Sequence, residues 1–179
     1  RDDDPTWFPN LSDALGLLTN LTSLKLYHAP ARPLAAALPR LGRQLAFLSF
    51  KTSSEIGAAD LHDLSRGLGL AAQLRALHII SSTGAHFPPA PVGVHVNAGE
   101  LFPLDFLRNM SHLRVLRCKG VRIPTLHPLA CCPSSSSTLR VLSLMSSTTE
   151  KEEEGDDVGH LRHLSPLKNL EALDLDFFT

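Results

Sequence analysis

The sequence predicts an α/β solenoid in which short parallel strands alternate with helices or turns about six times. The first observation is a group of three apolar residues, spaced i, i+3, i+5, that returns six times. The copies are Leu21-Leu24-Leu26, Leu45-Leu48-Phe50, Leu74-Leu77-Ile79, Leu113-Leu116-Cys118, Leu139-Leu142-Leu144 and Leu170-Leu173-Leu175. Fifteen of the eighteen positions are Leu, which indicates one supersecondary unit that repeats along the chain.

The second observation is the spacing within each copy, which combines a turn with a strand. The last two apolar residues are two apart, so they point to the same face of an extended strand. The first lies where the chain turns into that strand. Residues between them, such as Lys25, His78 and Asp174, are mostly polar and are expected on the other face. A single strand of this kind cannot bury its leucines, whereas stacked parallel copies share one continuous core.

The third observation is that the spacing continues upstream of each copy. The run Leu15-Leu18-Leu21-Leu24-Leu26 aligns with Leu164-Leu167-Leu170-Leu173-Leu175. Runs from Leu68 to Ile79 and from Leu107 to Cys118 follow the same spacing. In these residues the chain resembles the leucine-rich-repeat family over residues 11–176. The resemblance implies a curved right-handed solenoid with a parallel sheet on its concave side, and a function in binding proteins.

The details of the repeats also bear on this resemblance. The phrase Asn20-Leu21-Thr22-Ser23-Leu24-Lys25-Leu26 resembles intracellular repeats of plant and algal type. The family's Asn or Cys after the third apolar position is absent. The residues at those positions are Ala29, Ser53, Ser82, Val121, Ser147 and Phe178. We therefore expect irregular repeats with distorted turns.

Each repeat predicts a strand and a returning segment. The strands are expected at residues 23–27, 47–51, 76–80, 115–119, 141–145 and 172–176. Helices are expected from Asn10 or Ser12 to Leu18, at 34–41 after a break at 29–33, from an N-cap at Asp60 to Leu68, at 102–110 and at 158–167. Residues 124–137 are too rich in Pro and Ser for a full helix.

Two further segments fit a relaxed form of the spacing. They are Leu101-Leu104-Phe106 and Leu126-Leu129-Cys131. Each contains a proline, Pro103 in the first and Pro128 in the second, and proline cannot donate a hydrogen bond within a central strand. These two segments are therefore not expected to be strands of the sheet.

The spacing of the repeats predicts one domain with an arm and two insertions. The arm is residues 1–10, and the leucine-rich-repeat domain is residues 11–179. The insertions are a Pro- and Gly-containing loop at 81–100 and an acidic loop at 148–157. Long loops such as 81–100 are often functional in compact domains, although an insertion without a role is at least as good an interpretation. The loop at 148–157 is expected to be mobile and solvated.

Composition places the chain among globular proteins. The hydrophobic fraction is 43% and the formal net charge is −1, which favours a soluble fold without membrane insertion. Three cysteines without paired spacing favour a reducing intracellular compartment, either the cytoplasm or an organelle. Secretion is the weaker alternative, based on Asn-x-Ser/Thr triplets at Asn10, Asn20 and Asn109. The chain opens with Arg1-Asp2-Asp3-Asp4 and closes straight after a predicted strand. A solenoid that ends without a polar cap would expose leucines to water, so we expect a fragment of a longer protein or ends covered by a neighbour.

The sequence contains no pattern typical of an active site. His160 and His163 are spaced i, i+3, but no further ligand completes a metal site at a familiar spacing. Cys131 and Cys132 are adjacent and do not form a Cys-x-x-Cys pair. We therefore expect no enzyme activity, no metal and no cofactor.

The candidate binding residues are the outward-pointing side chains of the six strands. They combine a basic stripe, an apolar and aromatic set, and an acidic patch on the last strand, a mixture that is typical of protein interfaces and also of ordinary sheet surfaces. The candidates are Lys25, Tyr27, Phe47, Lys51, His78, Ile80, Val115, Arg117, Lys119, Met145, Asp174 and Asp176.

The sequence supports three hypotheses about function. The first is a non-enzymatic protein-interaction module, or scaffold, that binds a protein partner through its concave sheet or its uncapped ends. The second is an architectural subunit of a large complex, with or without RNA. RNA is included because the basic residues between Arg108 and Arg140 make nucleic acid a weaker alternative partner. The third is the recognition part of a resistance-type receptor.

Overall fold

Six short parallel strands form one open sheet, and their order in the sheet follows their order in the chain. The computed structural model describes residues 11–18, 20–52, 58–81, 102–121, 123, 126–146 and 162–177. The strands are β1 (Ser23–Tyr27), β2 (Phe47–Lys51), β3 (Ala76–Ile80), β4 (Val115–Lys119), β5 (Val141–Ser146) and β6 (Ala172–Phe177). All six predicted strands are confirmed, and the last two are one residue longer than expected.

Helical segments alternate with the strands, so the predicted α/β class is confirmed. The α-helices are α1 (Leu11–Gly16), α2 (Ala31–Leu41), α3 (Ala58–Leu68), α4 (His127–Cys131) and α5 (Pro133–Thr138). Two 3₁₀-helices, Asp105–Asn109 and Arg162–Leu164, precede β4 and β6. Within the described residues, the helices share one core with one face of the sheet.

Adjacent strands pair without a register shift. One inward row consists of Leu24, Leu48, Leu77, Leu116, Leu142 and Leu173, and the other consists of Leu26, Phe50, Ile79, Cys118, Leu144 and Leu175. The hydrogen bonding begins one residue before each strand. The Thr22 carbonyl accepts from the N–H groups of Ala46 and Phe47, and the same pattern recurs in the later repeats. The repeated apolar group therefore becomes two straight rows.

The core is deepest beneath the four middle strands. All twelve apolar positions of the second to fifth copies are buried. In the first and last copies, only Leu24 is buried, with 8% of its surface exposed, and Leu173 is 49% exposed. An inner-face leucine needs a neighbouring repeat on both sides to lose its contact with water, which explains the difference between the middle and end strands.

Helices α2 and α3 pack closely, and a glycine permits the approach. Leu61, Leu64 and Leu68 share one face of α3 and are buried, as their spacing predicts. A Cβ added at Gly67 would lie 2.9 Å from the Ala35 carbonyl oxygen of α2. Any larger residue at this position would therefore force the two helices apart.

A second glycine shapes the turn after β4. Gly120 has a φ of +69°, a conformation that residues with a Cβ rarely adopt. Its N–H donates to the Met145 carbonyl at 2.7 Å, so the turn extends the pairing between β4 and β5. A Cβ at this position would also lie 2.7 Å from the Ser81 carbonyl oxygen.

The ends of the first three helices differ from the predictions. Helix α1 ends at Gly16 rather than Leu18, because the chain turns there into β1 through a bond from the Leu21 N–H to the Leu18 carbonyl. Helix α2 begins at Ala31 rather than residue 34 and so includes Pro33 in its first turn. Proline is tolerated there because a backbone N–H in the first turn has no partner within the helix, so the missing N–H costs no hydrogen bond. The predicted N-cap Asp60 lies inside α3, where its carboxylate accepts a hydrogen bond from Arg32 at 3.0 Å.

The later helical segments are shorter than predicted. Only Asp105–Asn109 of the predicted helix at 102–110 is helical, as a 3₁₀-helix. Only Arg162–Leu164 is helical within the described part of 158–167, and residues 158–161 lie outside the described residues. The described residues 126–138 hold the two short helices α4 and α5, and the absence of one full helix there agrees with the prediction for 124–137. The described parts of the two proline-containing matches form no strand, which confirms their exclusion.

Some predictions concern residues outside the described part of the chain. These are the arm at 1–10, the insertions at 81–100 (apart from Ser81) and 148–157, and the positions of Ser53, Ser82, Ser147 and Phe178. Of the positions where the family has Asn or Cys, Ala29 and Val121 are described, and both are buried.

Leu77 and Leu173 give a matched test of the shared core, because they occupy the same row but differ in exposure (0% and 49%). We expect Leu77→Ala to lower the free energy of unfolding by about 3 kcal/mol through lost burial and a new cavity. Leu173→Ala should lower it by less than about 1 kcal/mol, since its side chain already contacts water. Urea unfolding of both variants measures the difference. Equal losses would contradict a core centred on the middle strands.

Candidate functional site

The candidate site is the face of the sheet that points away from the helices, here called the open face. It is formed by the first, third and fifth residues of each strand. In β2, β3 and β4 these side chains are partly buried or exposed, whereas the residues between them are buried. The alternation follows from the two-residue period of a strand. All twelve predicted site residues occupy the first, third or fifth position of a strand.

The register arranges the open face into three rows that cross the strands. The first row is Ser23, Phe47, Ala76, Val115, Val141 and Ala172; the middle row is Lys25, Ser49, His78, Arg117, Ser143 and Asp174; the last row is Tyr27, Lys51, Ile80, Lys119, Met145 and Asp176. The order within each row is fixed by the order of the repeats in the chain. Residues that are distant in sequence therefore become neighbours about 4.8 Å apart.

Contacts among side chains link the first three strands. The Lys25 ammonium lies 5.5 Å from the centre of the Phe47 ring, a cation–π arrangement. The rings of Phe47 and His78 meet edge to face, with centroids 5.2 Å apart and planes at 76°. Phe47 thus holds a cation on one side and an imidazole on the other. Tyr27, at the end of the last row, is 68% exposed.

The surroundings of His78 favour its neutral form. Burial, followed by the positive charges of Arg117 and Lys25, holds the pKa of His78 below its usual value. His78 lies beside Arg117 in the middle row. The neutral imidazole avoids placing two cations side by side, so the basic character of this row comes from Lys25 and Arg117 at neutral pH.

Four cations of the open face have no carboxylate within 4.0 Å among the described residues. They are Lys25, Lys51, Arg117 and Lys119. Elsewhere in the described chain, Arg32, Arg40, Arg108 and Arg140 form ion pairs at 3.0–3.8 Å. Arg117 and Lys119 are exposed and Lys51 is partly buried. The cations that face outward from the sheet are therefore available to an external anion.

The acidic side of the open face lies on β6. The Ser143 hydroxyl donates to the Asp174 carboxylate at 3.1 Å and so orients it beside β5. Asp176 pairs with Met145 in the backbone register, but its side chain lies outside the described part. At the edge of this region, Arg140 pairs with Glu171 at 3.1 Å. The sign of the charge thus changes between β4 and β6.

A shallow groove of about 450 Å³ crosses β3 to β6 on the open face. It brings together six of the predicted site residues, namely His78, Ile80, Arg117, Lys119, Met145 and Asp174. Five other predicted residues do not line the groove, namely Lys25, Tyr27, Phe47, Lys51 and Val115. The side chain of Asp176 lies outside the described part of the chain. The groove also includes Val141, Ser143 and Ala172, which the prediction omitted although their outward positions were readable from the repeat.

A second cluster lies on the helical side and was missed by sequence reasoning. The Cys131 Sγ lies 3.1 Å from His127 Nε2, and the rings of His127 and His163 meet edge to face at 5.3 Å. The i, i+4 spacing of His127 and Cys131 was the available signal. Among the described residues, no group of three His, Cys, Asp or Glu side chains has the arrangement needed to hold a metal ion. His160, which the sequence paired with His163, lies outside the described residues.

The three cysteines are free thiols with different surroundings. Cys118 fills an apolar position of the repeat, and burial raises its pKa to about 12. A thiol with so high a pKa stays protonated at neutral pH and is a poor nucleophile. Cys118 therefore acts as a small apolar residue, as its position in the repeat indicates.

No protein-family model matches the sequence, and no curated protein matches it significantly. Without a matching family model or curated protein, the function is interpreted from the chemistry of the open face.

In the part of the chain that the structure describes, helices fall short of the length and apolar character required to cross a bilayer.

The lowered pKa of His78 predicts a contribution to stability that depends on pH. Below the ordinary pKa of about 6.5, the unfolded chain binds a proton that the folded chain resists. The free energy of unfolding should therefore fall as the pH decreases through about 6.5, and this part of the loss should level off below the pKa of the folded state. Above about pH 6.5, His78 is neutral in both the folded and the unfolded chain, so it causes no loss of stability there.

The His78→Gln variant isolates this effect because glutamine cannot titrate. We expect the stability of the parent chain, relative to this variant, to decrease between about pH 7.5 and about pH 5. Urea unfolding at several pH values measures the difference. A difference that stays constant over this range would contradict the described surroundings of His78.

Proposed function

We propose that the chain is a non-enzymatic protein-interaction module of the leucine-rich-repeat type that binds a protein partner through the open face. The observation that carries the proposal is the sheet itself. Six parallel strands in chain order and in register turn eighteen outward positions into one continuous surface. Such a surface suits an extended or broad partner better than a small molecule.

The repeat architecture supports the assignment to this type of module. Every strand coincides with a copy of the apolar group, and the backbone bonds that start each strand recur from repeat to repeat. Each repeat buries its leucines mainly against its neighbours, which is the arrangement expected of a solenoid. We extend this to a curved solenoid with the open face on its concave side.

The chemistry of the open face supports protein binding. Exposed Tyr27, partly buried Phe47 and Met145, and exposed Arg117 belong to the residue types enriched at protein interfaces. The cations without an ion pair provide charges that a partner can neutralise. The groove provides a place where apolar side chains of a partner can leave water.

The described polar contacts of the groove suit binding rather than covalent catalysis. The Ser143 hydroxyl donates directly to Asp174, without an imidazole between them that could take up its proton. His78 contacts Phe47 and lies beside cations. This arrangement orients a carboxylate and keeps an imidazole neutral, and both are properties of a surface that recognises charge.

Charge reversal on the open face provides the test. We expect an Arg117→Glu/Lys119→Glu variant to lose the proteins that the parent chain captures from the source cell extract, because two attractions become repulsions. The matched control is Arg43→Glu/Arg66→Glu, which changes two exposed arginines on the helical side. Quantitative mass spectrometry of the captured proteins measures the loss.

The pattern of losses decides whether the open face is the binding surface. Loss of the same partner by the open-face variant alone supports the proposal. Retention of every partner by the open-face variant, or equal loss by both variants, would reject it. Circular dichroism and thermal unfolding should be unchanged in both variants, since all four residues are exposed.

A second candidate is an architectural subunit of a larger complex, favoured by the inner face of β6. Leu173 points toward the core but is 49% exposed, and Leu175 is only partly buried. A neighbouring subunit that covered this edge would remove apolar surface from water. In this alternative, the edge of the sheet rather than the open face makes the essential contact.

Light scattering tests this second candidate. If the inner face of β6 is normally covered, the isolated chain should self-associate as its concentration rises, and Leu173→Lys should prevent the association. The control is Leu70→Lys, since Leu70 is 56% exposed but lies in the turn after α3. A chain that remains monomeric at all concentrations, or that responds equally to both variants, would argue against a covered edge.

A further inference from the structure

The charge of the open face changes sign in a fixed direction across the sheet. Cations lie on β1, β2 and β4, and Asp174 lies on β6. Between them, β5 contributes the uncharged residues Val141, Ser143 and Met145. A partner that crosses the last three strands between the middle and last rows therefore meets a cation on β4, uncharged residues on β5 and a carboxylate on β6, in that order.

The groove places these three features within reach of one short segment. Its lining includes Arg117 and Lys119 from β4, Val141 and Met145 from β5, and Asp174 from β6. Arg117 and Asp174 share the middle row and are two strands apart, a backbone separation of roughly 10 Å. Ser143 lies between Arg117 and Asp174 in the middle row, and Met145 is the next outward residue of β5, so an apolar side chain borders the path between the two charges.

An extended peptide that crosses the strands can place alternate side chains over successive strands. Alternate side chains of an extended chain point to the same side and recur at roughly 6.7 Å, so residues i, i+2 and i+4 span about 13 Å. The long, flexible side chain of Arg117 accommodates the difference from 10 Å. Three successive side chains on one side of the peptide can therefore meet β4, β5 and β6.

We infer that the groove recognises an extended peptide segment of the pattern acidic-x-apolar-x-basic, with its acidic side chain at Arg117 and Lys119, its apolar side chain at Met145, and its basic side chain at Asp174. This inference rests on the proposed function and names the chemistry of the partner. The pattern fits in either chain direction, because the order of the three side chains, and not the direction of the backbone, matches the groove.

The polar contacts around Asp174 strengthen its assignment as the site for the basic residue. The Ser143 hydroxyl orients the carboxylate but leaves it without a cationic partner among the described residues. The nearby Arg140 is already paired with Glu171 at 3.1 Å. A basic side chain from a partner would complete the charge balance that the chain itself leaves open.

The same carboxylate disfavours a nucleic acid on this groove. A phosphate backbone carries negative charge at every nucleotide, so it would meet Asp174 after contacting Arg117. A peptide can change the sign of its charge within a few residues. The alternation of signs across β4 to β6 therefore favours a peptide of mixed charge.

The test uses the full chain and four fluorescein-labelled peptides with identical Gly/Ser flanks. Their central sequences are Glu-Ser-Leu-Ser-Lys, Glu-Ser-Leu-Ser-Glu, Lys-Ser-Leu-Ser-Lys and Glu-Ser-Ser-Ser-Lys. We expect the parent chain to bind the first peptide about fivefold more tightly than either peptide of single sign, since each wrong charge replaces an attraction with a repulsion. The peptide without Leu should also bind more weakly. Fluorescence anisotropy measures the affinities.

Two variants should exchange the preference in opposite directions. Asp174→Lys should prefer Glu-Ser-Leu-Ser-Glu, and Arg117→Glu/Lys119→Glu should prefer Lys-Ser-Leu-Ser-Lys, each by about fivefold. The control variant Arg43→Glu/Arg66→Glu should keep the preference of the parent chain. Raising the salt concentration should weaken the preference, because exposed charges are screened.

The outcomes separate this inference from the proposed function. If all four peptides bind equally or none binds, while the open-face variant still loses its captured partner, the mixed-charge inference is wrong and the proposed function stands. If the peptides fail and the open-face variant also retains every captured partner, both are wrong. Tighter binding of a short single-stranded RNA than of the mixed peptide, with a steep salt dependence, would also overturn the inference.

Discussion

The structure depends on the register of its parallel strands. Each strand pairs with the next without a shift, and the bonds begin at the residue that precedes the strand. A slip of one residue would move every leucine of that strand to the open face and bring polar residues such as Ser49 or His78 inward. The large difference in burial between the two faces therefore enforces the register, and the register in turn places every residue of the open face.

The same register distributes charge so that the basic region is tolerated. Along the last row, Ile80 lies between Lys51 and Lys119, and along the middle row Arg117 lies between His78 and Ser143. No two cations are adjacent within a row as long as His78 is neutral, a state that burial and the neighbouring charges favour. The open face can thus carry several unpaired cations at little cost in stability, while these charges remain available to a partner.

Burial in this architecture is a property of neighbouring repeats rather than of individual residues. Leu77 and Leu173 occupy equivalent positions, yet only Leu77 has a strand on both sides and is fully buried. Glycine permits the close approach of α2 and α3 at Gly67 and the turn at Gly120 within the middle repeats. The groove lies over the buried strands β3 to β5 and extends to the less buried end strand β6.

The sequence by itself determined the strands and the direction of their side chains, because a repeated i, i+3, i+5 group can bury its leucines only by stacking strands with a two-residue period. It determined helix ends less well, since the ends of α1, α2 and α3 depend on where the chain turns toward the sheet and on which turns accept proline. The rows could be listed from the sequence, but the groove could not. Only the tertiary structure decided that Ser143 holds Asp174, that Phe47 lies between Lys25 and His78, and that the groove excludes β1 and β2. These features depend on side-chain conformations and on contacts between residues far apart in the chain, which local periodicity does not encode.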